Sequence, residues 1–198
     1  MEQVTPTIDQ RAAAWIMRIE GGLADHPADR GGTTYAGLTA PALATVKTVD
    51  GRLVYDLDGD GDVDAADVRA LAAMPEPQRT ALVVRFYEGV WSQVSQMPWP
   101  ASLLAFDGAV HSGPRVGISL LQRALARCQP MSLEPDGIVG RATITAARMA
   151  SPWPLLDAYY VQRVEFLRAI CKRRPDQRVF LMGWLERVSM LRDAGSAR

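Results

Sequence analysis

Lysine, histidine and cysteine are almost absent from this 198-residue chain, with two of each. Cys128 and Cys171 are too few for a disulfide framework, and their spacing fits no zinc motif. Both read as reduced core residues. His26 and His111 are too few for most histidine-built metal sites. Only Lys47 and Lys172 are lysine, and the other bases are Arg. That bias reads as a GC-rich coding sequence rather than as function. No run of about 18 apolar residues occurs, so no membrane-spanning helix is expected. The first residues, Met1-Glu2-Gln3-Val4-Thr5-Pro6, lack the basic start and apolar core of a signal peptide. Internal repeats and low-complexity tracts are missing as well. So is net charge: 22 bases balance 22 acids. Taken whole, that balance argues against a polyanion-binding protein.

The chain is long enough for one sizeable domain or two small ones. Hydrophobic residues make up 48% and charged residues 22%, which is ordinary for a globular protein. The zero charge hides an uneven distribution. Asp56, Asp58, Asp60, Asp62, Asp64 and Asp67 lie within twelve residues, and the other 186 residues hold 22 bases against 16 acids. The chain is a mildly basic body, net +6, with one acidic loop.

Period and punctuation predict a mainly helical (α+β) protein. Asp9 is a plausible N-cap, and Trp15, Ile16 and Ile19 recur at helical spacing until Gly21-Gly22 ends the helix. Leu23 to Leu38 reads as an irregular hairpin, and Thr39 as the cap of a brief helix starting at Ala40-Pro41. Helices are expected over 64–73 and 78–94. Met97-Pro98-Trp99-Pro100 is a linker and marks the expected boundary between a lobe at 9–97 and a helical lobe at 98–193. Further helices are expected near 101–111, 114–127, 140–149, 153–173 and 177–192, with Ala194 to Arg198 frayed.

Residues 56–67 read Asp-Leu-Asp-Gly-Asp-Gly-Asp-Val-Asp-Ala-Ala-Asp. Against an EF-hand loop, acids fall at positions 1, 3, 5, 7, 9 and 12, and Gly61 falls at position 6. Calcium takes six to eight hard oxygens, and alternate residues of a tight loop can point inward together. Val63, at position 8, is expected to turn toward the core. Asp62, at position 7, would ligate through its carbonyl. Position 12 is Asp67 rather than the usual Glu, as in the calcium loops of dockerin modules. The segment before the loop, Gly51 to Tyr55, is more strand-like than helical. A single such loop suits a structural calcium clip better than a switch.

Glu20 stands at the end of the first helix, where it faces the negative end of the macrodipole beside apolar Ile19 and Leu23. That setting suits a general acid. Asp29 follows in a turn-rich stretch. Two such carboxylates flanking a cleft are the arrangement of glycoside hydrolysis. Spacing alone equally describes a surface acid at a helix C-cap. Asp107, an acid inside the apolar helix around Leu103-Leu104-Ala105-Phe106, reads as a buried carboxylate bonded to backbone groups between the lobes, with a cleft residue as the alternative.

The stretch Glu20-Gly21-Gly22 through Asp29-Arg30-Gly31-Gly32-Thr33-Thr34 and Gly37-Leu38-Thr39 resembles the signature of glycoside hydrolase family 108. There E-G-G precedes a hairpin with D-x-G-G-x-T and then G-I-T. Phe106-Asp107-Gly108-Ala109-Val110-His111-Ser112-Gly113 resembles the family's F-D-x-A-V-N-S-G. Leu120-Leu121-Gln122-Arg123-Ala124-Leu125 is similar to W-L-Q-R-A-L. Asp136-Gly137-Ile138-Val139-Gly140 with Thr143 resembles D-G-x-x-G-x-x-T of its C-terminal peptidoglycan-binding-like region. The resemblance runs in order from about residue 11 to 190.

That resemblance implies a lysozyme-like helical fold with a small hairpin lobe. It implies an N-acetylmuramidase that cuts the β-1,4 bond between N-acetylmuramic acid and N-acetylglucosamine. Glu20 would be the general acid. Asp29 would position the attacking water or steady the oxocarbenium-like charge. Thr34 would help hold that water, with Thr33 and Tyr35 adjacent. The partner would be the glycan strands of peptidoglycan, engaged by a monomer. Lacking a signal peptide, such an enzyme would leave the cytoplasm through a holin-like pore or another non-Sec route, as phage endolysins do. A lytic transglycosylase and a non-catalytic wall-binding protein remain alternatives. His111 departs from the family's Asn and reads as a hydrogen-bonding core residue, with a cleft-lining residue as the alternative. His26 departs from its Asp and reads as surface variation. The calcium loop is not a general feature of the family.

Overall fold

The computed structural model describes residues 9–24, 33–129 and 132–196. The described chain groups into two compact units, one ending at Gly89 and the other running from Val90 onward. The division falls inside a helix, upstream of the Met97–Pro100 linker.

In the first unit, α1 (Gln10–Ile19) starts where the Asp9 carboxylate accepts the Arg11 N–H at 2.8 Å. Ala12, Trp15 and Ile16 form its buried stripe. The helix stops at Glu20, whose N–H still reaches the Ile16 carbonyl, because Gly21 turns left-handed at φ +69°. Three two-residue strands follow: β1 (Leu23–Ala24), β2 (Thr34–Tyr35) and β3 (Leu38–Thr39). They form one antiparallel sheet in the order β1-β2-β3, with Tyr35 opposite both Leu23 and Leu38. Thr39 caps the short α2 (Ala40–Leu43).

α3 (Ala65–Ala73) leaves the acidic loop through a capping box: Asp64 caps the helix, and the Asp67 carboxylate bonds back to the Asp64 N–H. α4 (Glu76–Val94) follows Pro75. The Arg79 guanidinium donates to the Ala72 and Met74 carbonyls, closing the end of α3. Tyr55 is fully buried just before the acidic loop, and its hydroxyl donates to the Leu82 carbonyl at 2.8 Å. Burial pushes that hydroxyl up to about 12.

The second unit is helical. Its centre is α5 (Ala101–Ser112), buried from Ala101 through Ala109. α6 (Pro114–Cys128) lies against it. Gly108 and Gly117 meet backbone to backbone, and a methyl added at Gly108 would fall 2.9 Å from the Gly117 Cα. α7 (Arg141–Met149) and α8 (Pro152–Arg173) follow. A 3₁₀ turn at 175–180 then leads into α9 (Leu181–Ser196). The Tyr159 hydroxyl of α8 donates to the Leu104 carbonyl at 2.7 Å.

Of the tail expected to fray, the described part, 194–196, is helical. α9 stays helical to Ser196, with Gly195 buried and its carbonyl accepting the Trp99 indole N–H at 3.1 Å. That long-range bond and the packing of Leu156 against Gly195 outweigh terminal fraying. Both thiols are free: Cys171 is buried and Cys128 half-buried.

Candidate active site

Glu20 is placed by three local choices in the sequence. The helix brings it to the end of α1. Gly21 redirects the chain immediately after it. The turn between β2 and β3 then rises to meet its carboxylate. That turn is Ala36-Gly37, and both residues have positive φ, +49° and +73°. Two such residues between antiparallel strands make the tight turn whose twist matches a hairpin. Ala36 is a non-glycine residue in that region, which costs about 1 kcal/mol. The Tyr87 hydroxyl of α4 donates to the Ala36 carbonyl at 2.8 Å in a buried bond that holds the turn.

Gly37 is required twice, by its φ and by its neighbours. A methyl there would overlap the Glu20 carboxylate, and it would lie 3.0 Å from both the Glu20 Cδ and the Tyr87 hydroxyl. The Glu20 carboxylate therefore rests on a bare turn, half-buried, with the Tyr87 phenol beside it. α1 also meets α4 here: Ile16 and Met17 share a small enclosed space with Val83 and Tyr87.

Thr34 lies on β2, half-buried, opposite Ala24 and Thr39. Thr33 is buried, and its hydroxyl accepts from the Arg69 guanidinium at 3.4 Å. Tyr35 is buried in the sheet under the Arg79 guanidinium, 5.7 Å from its ring centre. Of these three neighbours, Thr34 has the most exposed side chain. Asp29 and His26 lie outside the described residues. Residue-level reading of the sequence missed Tyr87 and the double role of Gly37. The Ala36-Gly37 pair between Thr34-Tyr35 and Leu38-Thr39 is the signal that marks the turn.

The acidic loop is ordered around its own carboxylates. Asp56 accepts the N–H groups of Gly59 (2.8 Å) and Gly61 (3.1 Å). Asp58 accepts from Asp60, and Asp60 from Asp62. Asp67 is fully buried and accepts from Leu57 at 2.6 Å and Asp64 at 2.8 Å, one bond to each oxygen. Carboxylate oxygens of Asp56, Asp58 and Asp60 lie within 4.8 Å of one another, and so do those of Asp62, Asp64 and Asp67. The Asp62 carboxyl is held above its ordinary value, first by the charge of Asp60, then by desolvation and by Asp64, Asp67 and Asp58. Two trios of hard anionic oxygens on one loop form a donor set that fits calcium in kind. Val63 is half-buried. No helix enters the loop. The preceding chain is a single antiparallel bridge between Lys47 and Leu53, so a helix flanks the loop on its C-terminal side alone.

The glycosyl hydrolase 108 family model matches residues 13–113, and a second model, described as a predicted peptidoglycan domain, matches residues 116–189. The chain belongs to the glycosyl hydrolase 108 family. It is a glycoside hydrolase of the muramidase type whose substrate is peptidoglycan. No curated protein matches it. A solved structure, that of Brucella abortus SagA, is 24% identical, covers 93% of this chain and 91% of its own, and superposes with a TM-score of 0.68. That likeness shows the mainly helical, lysozyme-like fold.

In this glycosyl hydrolase 108 member, the motif residues beyond Val90 build a scaffold. The Gln122 amide donates to Asp136 (2.8 Å), the Ile138 carbonyl (3.0 Å) and Thr143 (3.1 Å), and its carbonyl accepts the Gly137 N–H (2.8 Å). One glutamine on α6 thus ties the Asp136-Gly137 turn to the start of α7.

Asp107 is fully buried, as its setting in α5 predicts, and two arginine side chains are among its partners. Arg187 of α9 grips one carboxylate oxygen at 2.8 Å and 2.9 Å, and Arg163 of α8 lies 3.5 Å from the other. Arg163 has no exposed side-chain surface. It donates to Ser112 at 3.0 Å and is 2.9 Å from His111 Nδ1. An arginine can only donate, so Nδ1 accepts and His111 is neutral. Burial first, then the charges of Arg163 and Arg187, lower its pKa to about 4. His111 is therefore the hydrogen-bonding residue its position predicts.

Proposed function

We propose that this enzyme hydrolyses the β-1,4 bond between N-acetylmuramic acid and N-acetylglucosamine, with Glu20 protonating the leaving glycosidic oxygen. The observation that carries this reading is the seat of Glu20. Its carboxylate sits at a helix end against a bare glycine turn, half-buried beside the Tyr87 phenol. General acids of this kind act on the scissile oxygen within hydrogen-bond reach. Asp29 is assigned to the attacking water or the developing oxocarbenium charge, and Thr34 to the same water. The half-exposed hydroxyl of Thr34 favours it over its buried neighbours for that role.

Asp56, Asp58, Asp60, Asp62, Asp64 and Asp67 are assigned as a structural calcium site. When bound, the ion would cancel charge and pin the loop, and it takes no part in the chemistry. The enzyme acts as a monomer of endolysin type, delivered to the wall by a holin-like or other non-Sec route. The test is product analysis of purified walls. Hydrolysis leaves a reducing N-acetylmuramic acid end, a lytic transglycosylase leaves an anhydro ring, and a binding protein leaves the wall intact.

A further inference from the structure

One large cavity is lined by no residue of the Glu20 site. It opens within the Val90-onward unit, between α6, α8 and the segment at 134–136, with a volume of about 790 Å³. Its floor is apolar and aromatic, including buried Leu120 and half-buried Phe166. Its rim is charged with both signs. Arg115 and Arg123 stand on α6, and Glu134 stands across from them. Asp136 and Glu165 line it too; Arg115 lies in the field of Asp136, while Arg123 and Glu134 have no ion-pair or hydrogen-bond partner among the described residues. Gln162 is 7% exposed and lines the same space. Its amide nitrogen donates to Glu165 at 3.3 Å, while its carbonyl oxygen takes no bond from the described residues.

This set selects a ligand by chemistry. The Arg115 and Arg123 guanidiniums call for carboxylates, and the unpaired Glu134 carboxylate calls for an ammonium group. The Gln162 amide carbonyl can take an N–H donor. The glycan of peptidoglycan is neutral wherever its lactyl groups carry peptide. Carboxylates and free amines reside on those peptides. We propose that this groove binds the short charged stem peptides that peptidoglycan strands carry, with Arg115 and Arg123 receiving peptide carboxylates and Glu134 a free amine. The proposal rests on peptidoglycan as substrate. It assigns the second half of the chain a recognition task separate from bond cleavage.

The test uses the full chain and two probes followed by NMR titration. One is the synthetic stem tetrapeptide with a free diamino-acid amine, and the other is a neutral N-acetylglucosamine tetramer. The tetrapeptide should bind saturably, shift resonances on α6 and α8, and weaken as salt is raised. The neutral tetramer should leave those resonances unmoved. Replacing Arg115 and Arg123 together by Ala should weaken peptide binding about tenfold or more, with an unchanged melting curve. Glu134→Gln should weaken binding of the free-amine peptide and not of its N-acetylated form. Unchanged affinity in the double arginine variant, or binding of the neutral tetramer at α6 and α8 in place of the peptide, overturns the proposal. Wall hydrolysis by the wild type is measured in parallel. Turnover without peptide binding overturns the groove alone, and peptide binding without turnover overturns the hydrolase reading alone.

Discussion

Gly37 ties backbone conformation to chemistry. Its positive φ makes the hairpin, and its missing side chain makes room for the Glu20 carboxylate. Gly37→Ala must strain the turn or push Glu20 and Tyr87 aside. A displacement of about 1 Å at a catalytic group can cost roughly 100-fold in rate. The expected outcome is a loss of that order in wall lysis, with destabilisation of only about 1–3 kcal/mol. Lysis assays paired with thermal melts check it, and near-normal lysis would show that the turn does not position Glu20. His111 supports a second residue-scale prediction. Its folded pKa, about 4, lies below the ordinary 6.5, so between these values the unfolded chain binds more protons than the folded one. Stability therefore falls as pH drops through that window, by up to about 3 kcal/mol from this group. His111→Asn keeps a neutral acceptor and should flatten this part of the profile. A pH series of melts on both proteins reads the difference, and parallel profiles would contradict it.

At the scale of elements, local signals were legible and distant ones were not. The start of α1 at Asp9, its stop at Gly21, the cap at Thr39 and the helix after Asp64 each depend on neighbours within a few residues. The partners of Asp107 do not: Arg187 is 80 residues away and sits on a different helix. The bond from Tyr87 to Ala36 spans 51 residues. Nothing in Ala194–Arg198 announces that Trp99 will hold its helix in place. The acidic loop is itself an element, anchored before by buried Tyr55 and after by buried Val68 and Leu71. A cation that binds only the folded loop stabilises by mass action, about 2.7 kcal/mol at a hundredfold excess over Kd. Calcium should raise the melting midpoint by about 5 °C or more, and excess chelator should remove the gain. Asp58→Ala should blunt the response. Melting curves that superimpose with calcium and with chelator would remove the calcium assignment.

Across the whole molecule, the zero net charge is a sum over two unlike regions. Outside the acidic loop the chain is net +6, which suits an anionic wall. One bound calcium would bring the total formal charge to +2. Family membership and the helical fold were legible in ordered motifs. The role of each motif was not. Phe106-Asp107 and Leu120-Leu121-Gln122 serve packing and hydrogen bonding, and a large cavity lies beside the second of these motifs. The central claim is that Glu20 performs the cleavage. It is tested most directly by digesting purified peptidoglycan with the wild type and with Glu20→Gln, and analysing the released muropeptides by mass spectrometry. The account predicts reducing N-acetylmuramic acid ends from the wild type. From the variant it predicts at least about a hundredfold less product with an unchanged melting curve. Near-normal release of the same products by folded Glu20→Gln would contradict it.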